Sequence, residues 1–281
     1  MGRLKRGLAL AGRSWQILRS NRSLLAFPLL GAALSVVIVG PPALAGAYLA
    51  DRGDTVPGAM LGAVAIYLLC FITAFIGVGL AVAADGALRD QPVSLSGGLR
   101  VASGKLGAIT GWALINAILS IVLRALEMRS ELAGIAAALV GGAWSVISLL
   151  AIPAIALEDA GPFTAIKRST SLFKEHWGGR ILGMAAIGFG VFALVMLPAV
   201  AIVVVGVLVL SDAGSAGVGA GAVLIALGAI LFAAGVILSG ALQQIFTVVL
   251  YRYTTSGEVL GGFSAEDLER SVRTRGAVAP T

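Results

Sequence analysis

Few residues of this chain could support catalysis or hold a metal. The sequence has one histidine, His176, and one cysteine, Cys70, so it contains no H-E-x-x-H motif and no group of several His or Cys ligands. The run 97–106 resembles a phosphate-binding loop, but its glycine spacing is wrong and Leu106 replaces the hydroxyl that would bind magnesium. We therefore expect no catalytic residue, no metal and no cofactor.

The adjacent carboxylates Glu158 and Asp159 are the strongest candidates for acid–base chemistry. Neighbouring residues on a helix do not face each other, which disfavours a catalytic pair. We interpret them as caps of the following helix, whose first turn attracts negative charge, or as ion-pair partners of Lys167 or Arg168. A role in gating or ligand binding, or a catalytic role for the pair, is the alternative.

A few polar side chains interrupt long apolar runs. Polar groups at membrane depth are costly, so each is a candidate for function. Their simplest role is hydrogen bonding between helices, and the alternative is a polar route for a transported molecule. These residues are Asn116, Ser145, Ser148, Gln243 and Gln244.

The composition places these residues in a membrane protein. Of the 281 residues, 58% are hydrophobic and only 12% are charged, about half the charged fraction of a soluble domain. The net charge of +6 comes from short basic segments between apolar runs. We therefore expect anionic membrane lipids as partners, and no nucleic acid.

Six apolar runs are long enough to cross a bilayer, which takes about 20 helical residues. The sequence thus predicts an all-α bundle of six transmembrane helices in a single membrane domain, 1–255, followed by a short cytoplasmic tail, 256–281. The predicted spans are 24–50, 57–84, 106–123, 132–157, 181–210 and 217–251.

The distribution of positive charge predicts the orientation. When the loops are assigned alternately to the two sides, only Arg52, Arg124 and Arg129 of the 20 lysine and arginine residues fall on the side opposite the termini. Because positively charged loops stay in the cytoplasm, we expect both termini inside and a multi-pass protein of the prokaryotic inner membrane.

A basic amphipathic segment precedes the first, third and fifth predicted spans. The apolar stripes begin at Leu4, Leu95 and Phe163 and repeat at helical spacing. This favours three copies of a unit made of one interfacial helix and one hairpin, although inner loops of membrane proteins are often basic and amphipathic in any case. The residues that we expect to contact lipid or a partner are Arg13, Arg19, Arg100, Lys105, Lys167, Arg168, Lys174 and Trp177.

Several motifs resemble a family of uncharacterised prokaryotic six-helix membrane proteins. They are the run 153–162, the segment 165–169 with Lys174 and Trp177, an amino-terminal pattern within 14–28, and the segment 250–263. The general sequence pattern of the chain is also similar to that of the membrane region attached to some glycerophosphodiester phosphodiesterases, but we find no phosphodiesterase domain here. The resemblance implies an inner-membrane location and supplies no established activity.

Three functions compete at this point. We favour a non-catalytic membrane protein that engages lipid or a membrane-protein partner through its basic amphipathic helices. The first rival is a transporter or channel for a small solute or lipid, and the second is a membrane enzyme that uses Glu158, Asp159 or His176. A polar cavity that reaches the midplane would favour transport.

Overall fold

A computed structural model of the protein describes residues 17–21, 23–177, 197–211 and 215–261, and over these ranges the chain is helical and contains no strand. The turn at 148–150 separates α5 from α6 within one membrane-length segment. The helices, numbered in chain order, are α1 Ser23–Asp51, α2 Thr55–Leu88, α3 Leu95–Gly104, α4 Leu106–Glu127, α5 Glu131–Ile147, α6 Ala151–Glu158, α7 Pro162–Trp177, α8 Leu197–Ser211 and α9 Ser215–Ser256.

Five of the described segments are long and apolar enough to cross a membrane: α1, α2, α4, α5 with α6, and α9 from Gly219 onward. The predicted span 181–210 lies partly outside the described residues, and its described end is the shorter apolar helix α8. The predicted amino-terminal helix reaches the described part only at 17–21. The predicted tail helix from Ser264 lies outside it.

Helix α1 contains a π-helical turn just before a pair of prolines and lies against α2. A π-helical turn at Ser35–Val39 precedes Pro41 and Pro42, which cannot donate backbone hydrogen bonds to the preceding turn. Farther along, a Cβ on Gly58 would lie 2.8 Å from the carbonyl oxygen of Gly46. Only glycine permits this backbone contact between the two helices of the first hairpin.

The buried core lies toward one end of the bundle, the end that carries the predicted cytoplasmic loops. It combines the last turns of α2, helix α6, the last turns of α9 and, from the start of α1, Leu24 and Phe27. Toward the other end, side chains such as Val36 and Leu44 of α1 and Leu132 of α5 are exposed. These exposed surfaces are apolar, as contact with lipid requires.

Two similar corners organise the core end. In the first corner, α2 ends, Asp90 takes a left-handed conformation with φ 55°, and α3 begins after Ser94, whose side chain accepts from the backbone N–H of Gly97. In the second corner, α6 ends, Asp159 has φ 53°, and α7 begins at Pro162. Left-handed residues commonly end helices, and proline suits the first helical turn.

Helices α3 and α7 each pack one face on the bundle. In α3 the buried residues are Gly98 and Ala102, and a Cβ on Gly98 would lie 2.6 Å from the carbonyl oxygen of Gly79 in α2. In α7 the buried face contains Ala165, Ser169 and Leu172. The face predicted from Phe163 lies to one side of this contact, and Phe163 itself is 70% exposed.

Candidate functional site

The basic residues singled out in the sequence divide into two groups. Arg168 and Lys105 bind acceptors of the chain itself. The side chains of Arg19, Arg100, Lys167 and Lys174 are exposed. Arg13 and the side chain of Trp177 lie outside the described residues. The exposed group is therefore the part of the set that remains accessible to lipid or to a partner.

Arg168 joins α7 to the end of α6. Its Nη2 donates to Oε1 of Glu158 at 3.3 Å, and its Nε lies 3.3 Å from Oε2. This hydrogen bond, together with the negative charge of Glu158, raises the pKa of Arg168. The buried hydroxyl of Tyr251 in α9 lies beside both groups. Glu158 thus binds one of the two partners that the sequence suggested for it, and the pair connects α6 to α7.

Lys105, which stands between α3 and α4, holds the carboxyl end of α6. Its Nζ donates to the carbonyl oxygens of Ile155 at 2.9 Å and Ala156 at 2.7 Å. It also lies 2.5 Å from Oδ1 of Asp159. A lysine placed here satisfies carbonyls that have no helical partner and complements the negative end of the helix dipole. Asp159 therefore forms its ion pair with Lys105, whereas Glu158 forms its ion pair with Arg168.

A network of four charges joins α2 to α9. Arg252 donates from Nε to Oδ1 of Asp85 at 2.6 Å and from Nη2 to Oδ2 at 2.7 Å. Arg89 lies 3.4 Å from the same carboxylate and 2.5 Å from Glu258. The side chain of Asp85 is only 14% exposed. Sequence reasoning missed this network, and the signal available was opposite charge directly after the second and sixth predicted spans.

Ser169 bridges the break between α5 and α6. Its hydroxyl donates to the carbonyl oxygen of Ile147 and accepts from the backbone N–H of Leu150 at 3.2 Å. Ser169 is fully buried, so water cannot replace these bonds. A side chain of α7 thus supplies the partners that the turn at 148–150 removes from the helix.

The polar residues proposed to line a route lie on different helices, and only those of α4 and of the α5–α6 segment form side-chain hydrogen bonds to carbonyls or to Trp144. Nδ2 of Asn116 donates to the carbonyl oxygen of Trp112, and its Oδ1 accepts from Nε1 of Trp144 at 3.1 Å. The Trp112 and Trp144 rings stack with centroids 5.9 Å apart. Ser145 and Ser148 donate to nearby carbonyls of their own segment. In α9 Gln243 is exposed and Gln244 is partly buried.

A cavity of about 290 Å³ opens between the second corner and the start of α4. Its lining contains one lysine, Lys105, and one aspartate, Asp159, surrounded by the small residues Gly104, Gly107, Ala108 and Ala160 with Ile155. None of the five residues proposed for a route contributes to it. This cavity places a cation and an anion side by side at the predicted cytoplasmic end of the bundle.

The described part of the chain contains no cluster of side chains that could form a metal site. There, no three His, Cys, Asp or Glu side chains lie close enough together to hold an ion. Asp85, Glu158 and Asp159 are each paired with an arginine or a lysine. The arrangement is suited to holding helices together and to attracting charged groups.

A model of a family of unknown function, DUF6159, matches residues 59–262. The chain belongs to the DUF6159 family. The matched region begins within α2 and includes both corners, the four-charge network and the cavity. No curated protein and no solved structure matches the chain. Membership agrees with the resemblance to uncharacterised proteins, and the similarity to membrane regions of glycerophosphodiester phosphodiesterases stays a prediction.

Proposed function

We propose that this DUF6159 protein is a non-catalytic, six-span protein of the prokaryotic inner membrane that binds anionic lipid headgroups at its cytoplasmic face. The observation that carries the proposal is the exposed face of α7. Lys167, Ser171 and Lys174 follow one another at helical spacing and are all exposed, while the opposite face of α7 is buried in the bundle. The described acidic residues form no ion pair with Lys167 or Lys174.

The orientation follows from the charge pattern. The same end of the bundle as the core carries Arg100, Lys105, Lys167 and Lys174. At the opposite end, Arg124 lies in the last turn of α4 and Arg129 follows that helix. We expect the cysteine of the variant Asp54→Cys or Ser215→Cys to be labelled from outside intact cells. The cysteine of the variant Ser96→Cys or Ser171→Cys should be protected from this labelling. Labelling of Ser171→Cys from outside would exclude the proposed orientation.

A threefold arrangement is supported by two recurring features. The helices that end the second, fourth and sixth predicted spans are each followed by a left-handed residue, Asp90, Asp159 or Gly257. In addition, a Cβ on Gly221 of α9 would lie 2.8 Å from the carbonyl oxygen of Gly206 in α8. This is the same contact as between α1 and α2, so the first and third hairpins resemble each other.

Lipid binding is tested by replacing the exposed cations of α7. The variant with Lys167→Gln and Lys174→Gln should lose about 2 kcal/mol of attraction to an anionic surface, roughly 30-fold in affinity, because each basic group contributes about 1 kcal/mol. The measurement is the amount of phosphatidylglycerol bound by the purified protein at fixed salt, since exposed charge interactions are screened.

The matched control carries Arg124→Gln and Arg129→Gln, which removes the same charge from exposed positions at the other end. This variant should keep its phosphatidylglycerol. Equal loss from both variants would mean that net charge, rather than α7, determines binding. If the α7 variant keeps its lipid but loses a protein that co-purifies with the parent, the face is a docking surface for that partner and the lipid proposal is wrong.

A further inference from the structure

The cavity beside Lys105 has a positive and a negative end. Lys105 is 13% exposed and is fixed by the carbonyl oxygens of Ile155 and Ala156. Asp159 is 84% exposed and touches Lys105 through Oδ1. The cation is thus held by the protein, whereas the carboxylate lines the cavity, is mostly exposed and can contact another group through its second oxygen.

The other residues that line the cavity are mostly small and leave room between these two charges. A Cβ on Gly104 or Gly107 would meet no atom within 4 Å, so these glycines border open space. Ala108 and Ala160 add only methyl groups. At about 290 Å³, the cavity is at the small end of ligand sites, which begin at about 300 Å³. It accommodates a headgroup but not a large ligand.

We propose that this cavity binds the headgroup of a phospholipid that carries both a phosphate and a primary ammonium, the phosphatidylethanolamine class. The phosphate binds the Lys105 ammonium and takes the place of the contact from Asp159, which is weak because that carboxylate is solvated. The released carboxylate accepts hydrogen bonds from the lipid ammonium, and these bonds are charge-assisted because both groups are ionised. The site differs in ligand and residues from the exposed face of α7.

The position of the cavity favours a lipid over a larger soluble molecule. Lys105 precedes α4 and Asp159 follows α6, so both stand where apolar spans reach the predicted cytoplasmic surface. Headgroups of the inner leaflet lie at this level, and their acyl chains can follow the exposed apolar side chains of α4, such as Leu106 and Leu114.

The test uses the full-length protein in detergent and short-chain phosphatidylethanolamine, phosphatidylcholine and phosphatidylglycerol, with binding measured by native mass spectrometry. The parent should bind phosphatidylethanolamine about tenfold more tightly than phosphatidylcholine, which has no N–H donors. Asp159→Asn should abolish this preference, and it should not weaken phosphatidylglycerol binding. Asparagine tolerates the left-handed conformation at this position, so the fold is preserved.

The matched control is Asp90→Asn, because Asp90 is also exposed and left-handed but does not line the cavity. It should leave the preference intact. A second variant, Gly107→Leu, fills the open space without removing charge and should weaken phosphatidylethanolamine binding. Equal binding of the two zwitterionic lipids by the parent, or equal effects of the two asparagine variants, would overturn the proposal. Binding of soluble phosphoethanolamine as tightly as the lipid would overturn its assignment to a lipid.

Discussion

The two corners place an amphipathic helix against the end of a span in the same way but hold it by different chemistry. In the first corner, Gly98 of α3 lies directly on the backbone of Gly79, eleven residues before the left-handed Asp90. In the second corner, Ser169 of α7 binds the backbone on both sides of Ser148, eleven residues before Asp159. The contact in the first corner requires the absence of a side chain at Gly98, and the contact in the second corner consists of hydrogen bonds from Ser169.

The charges at the two corners differ in burial. Asp85 of the first corner is 14% exposed and binds Arg252 with both oxygens. Glu158 of the second corner is 36% exposed and binds Arg168 with longer contacts. The first corner is therefore fixed to α9, whereas the second is held by a weaker, solvated pair. The ion pair of the second corner should therefore be easier to break than the ion pair of the first.

The largest effect should come from Asp85→Asn. Removing one partner of a mostly buried ion pair leaves Arg252 and Arg89 without their shared carboxylate, so unfolding free energy should fall by about 3 kcal/mol. Thermal unfolding in detergent measures it, and Asp90→Asn, at an exposed carboxylate of the same corner, should change little. Equal midpoints for the two variants would contradict the importance of the network.

Gly98→Ala should be the next most harmful change. The added Cβ would lie 2.6 Å from both the Gly79 carbonyl oxygen and the ring of Phe27, so α3 must move, and overpacking of this kind destabilises by about 2 kcal/mol. Gly104→Ala, in the same helix with no atom within 4 Å, should be neutral. The same thermal assay would refute the steric argument if both alanines behaved alike.

Ser169→Ala should lower the unfolding free energy by about 1.5 kcal/mol, because the carbonyl of Ile147 and the N–H of Leu150 lose their buried partner. Ser171→Ala is the matched control, since Ser171 is exposed and bonds only to its own helix. Hydrogen exchange at residues 147–150 should rise in the first variant alone. Unchanged exchange there would show that Ser169 does not hold the break.

The smallest effect is expected for Glu158→Gln. The pair with Arg168 is partly exposed on both sides, and such pairs contribute about 0.5 kcal/mol. The thermal midpoint should shift far less than for Asp85→Asn. A shift as large as that of Asp85→Asn would remove the contrast in strength between the two corners.

The long apolar runs made the described membrane-length helices predictable. An apolar run as long as 57–84 is stable as a helix that spans the lipid bilayer. The run falls within α2, Thr55–Leu88. The irregular turns within the membrane-length segments were harder to predict from the sequence. Pro41 and Pro42 are a local signal beside the π-helical turn of α1, but nothing local indicates that α5 ends at Ile147, because its turn depends on a hydroxyl from α7.

The contacts of the candidate site were harder to predict, because they join distant parts of the chain. Asp85 and Arg252 are 167 residues apart, and their pairing depends on how α2 meets α9. Lys105 and Arg168 had the same sequence signal as Arg100 and Lys167, namely a basic residue beside an apolar stripe. Only the packing of α3, α6 and α7 determines which cations bind acceptors of the chain.

The bridge made by Ser169 also sets an order for biogenesis. Because Ile147 and Leu150 are synthesised before Ser169, the fourth predicted span enters the membrane with two backbone groups that lack their final partner. The span reaches its final form only when α7 has left the ribosome and docked against it. A chain truncated before α7 should therefore retain an unstable span and become a substrate for membrane quality-control proteases.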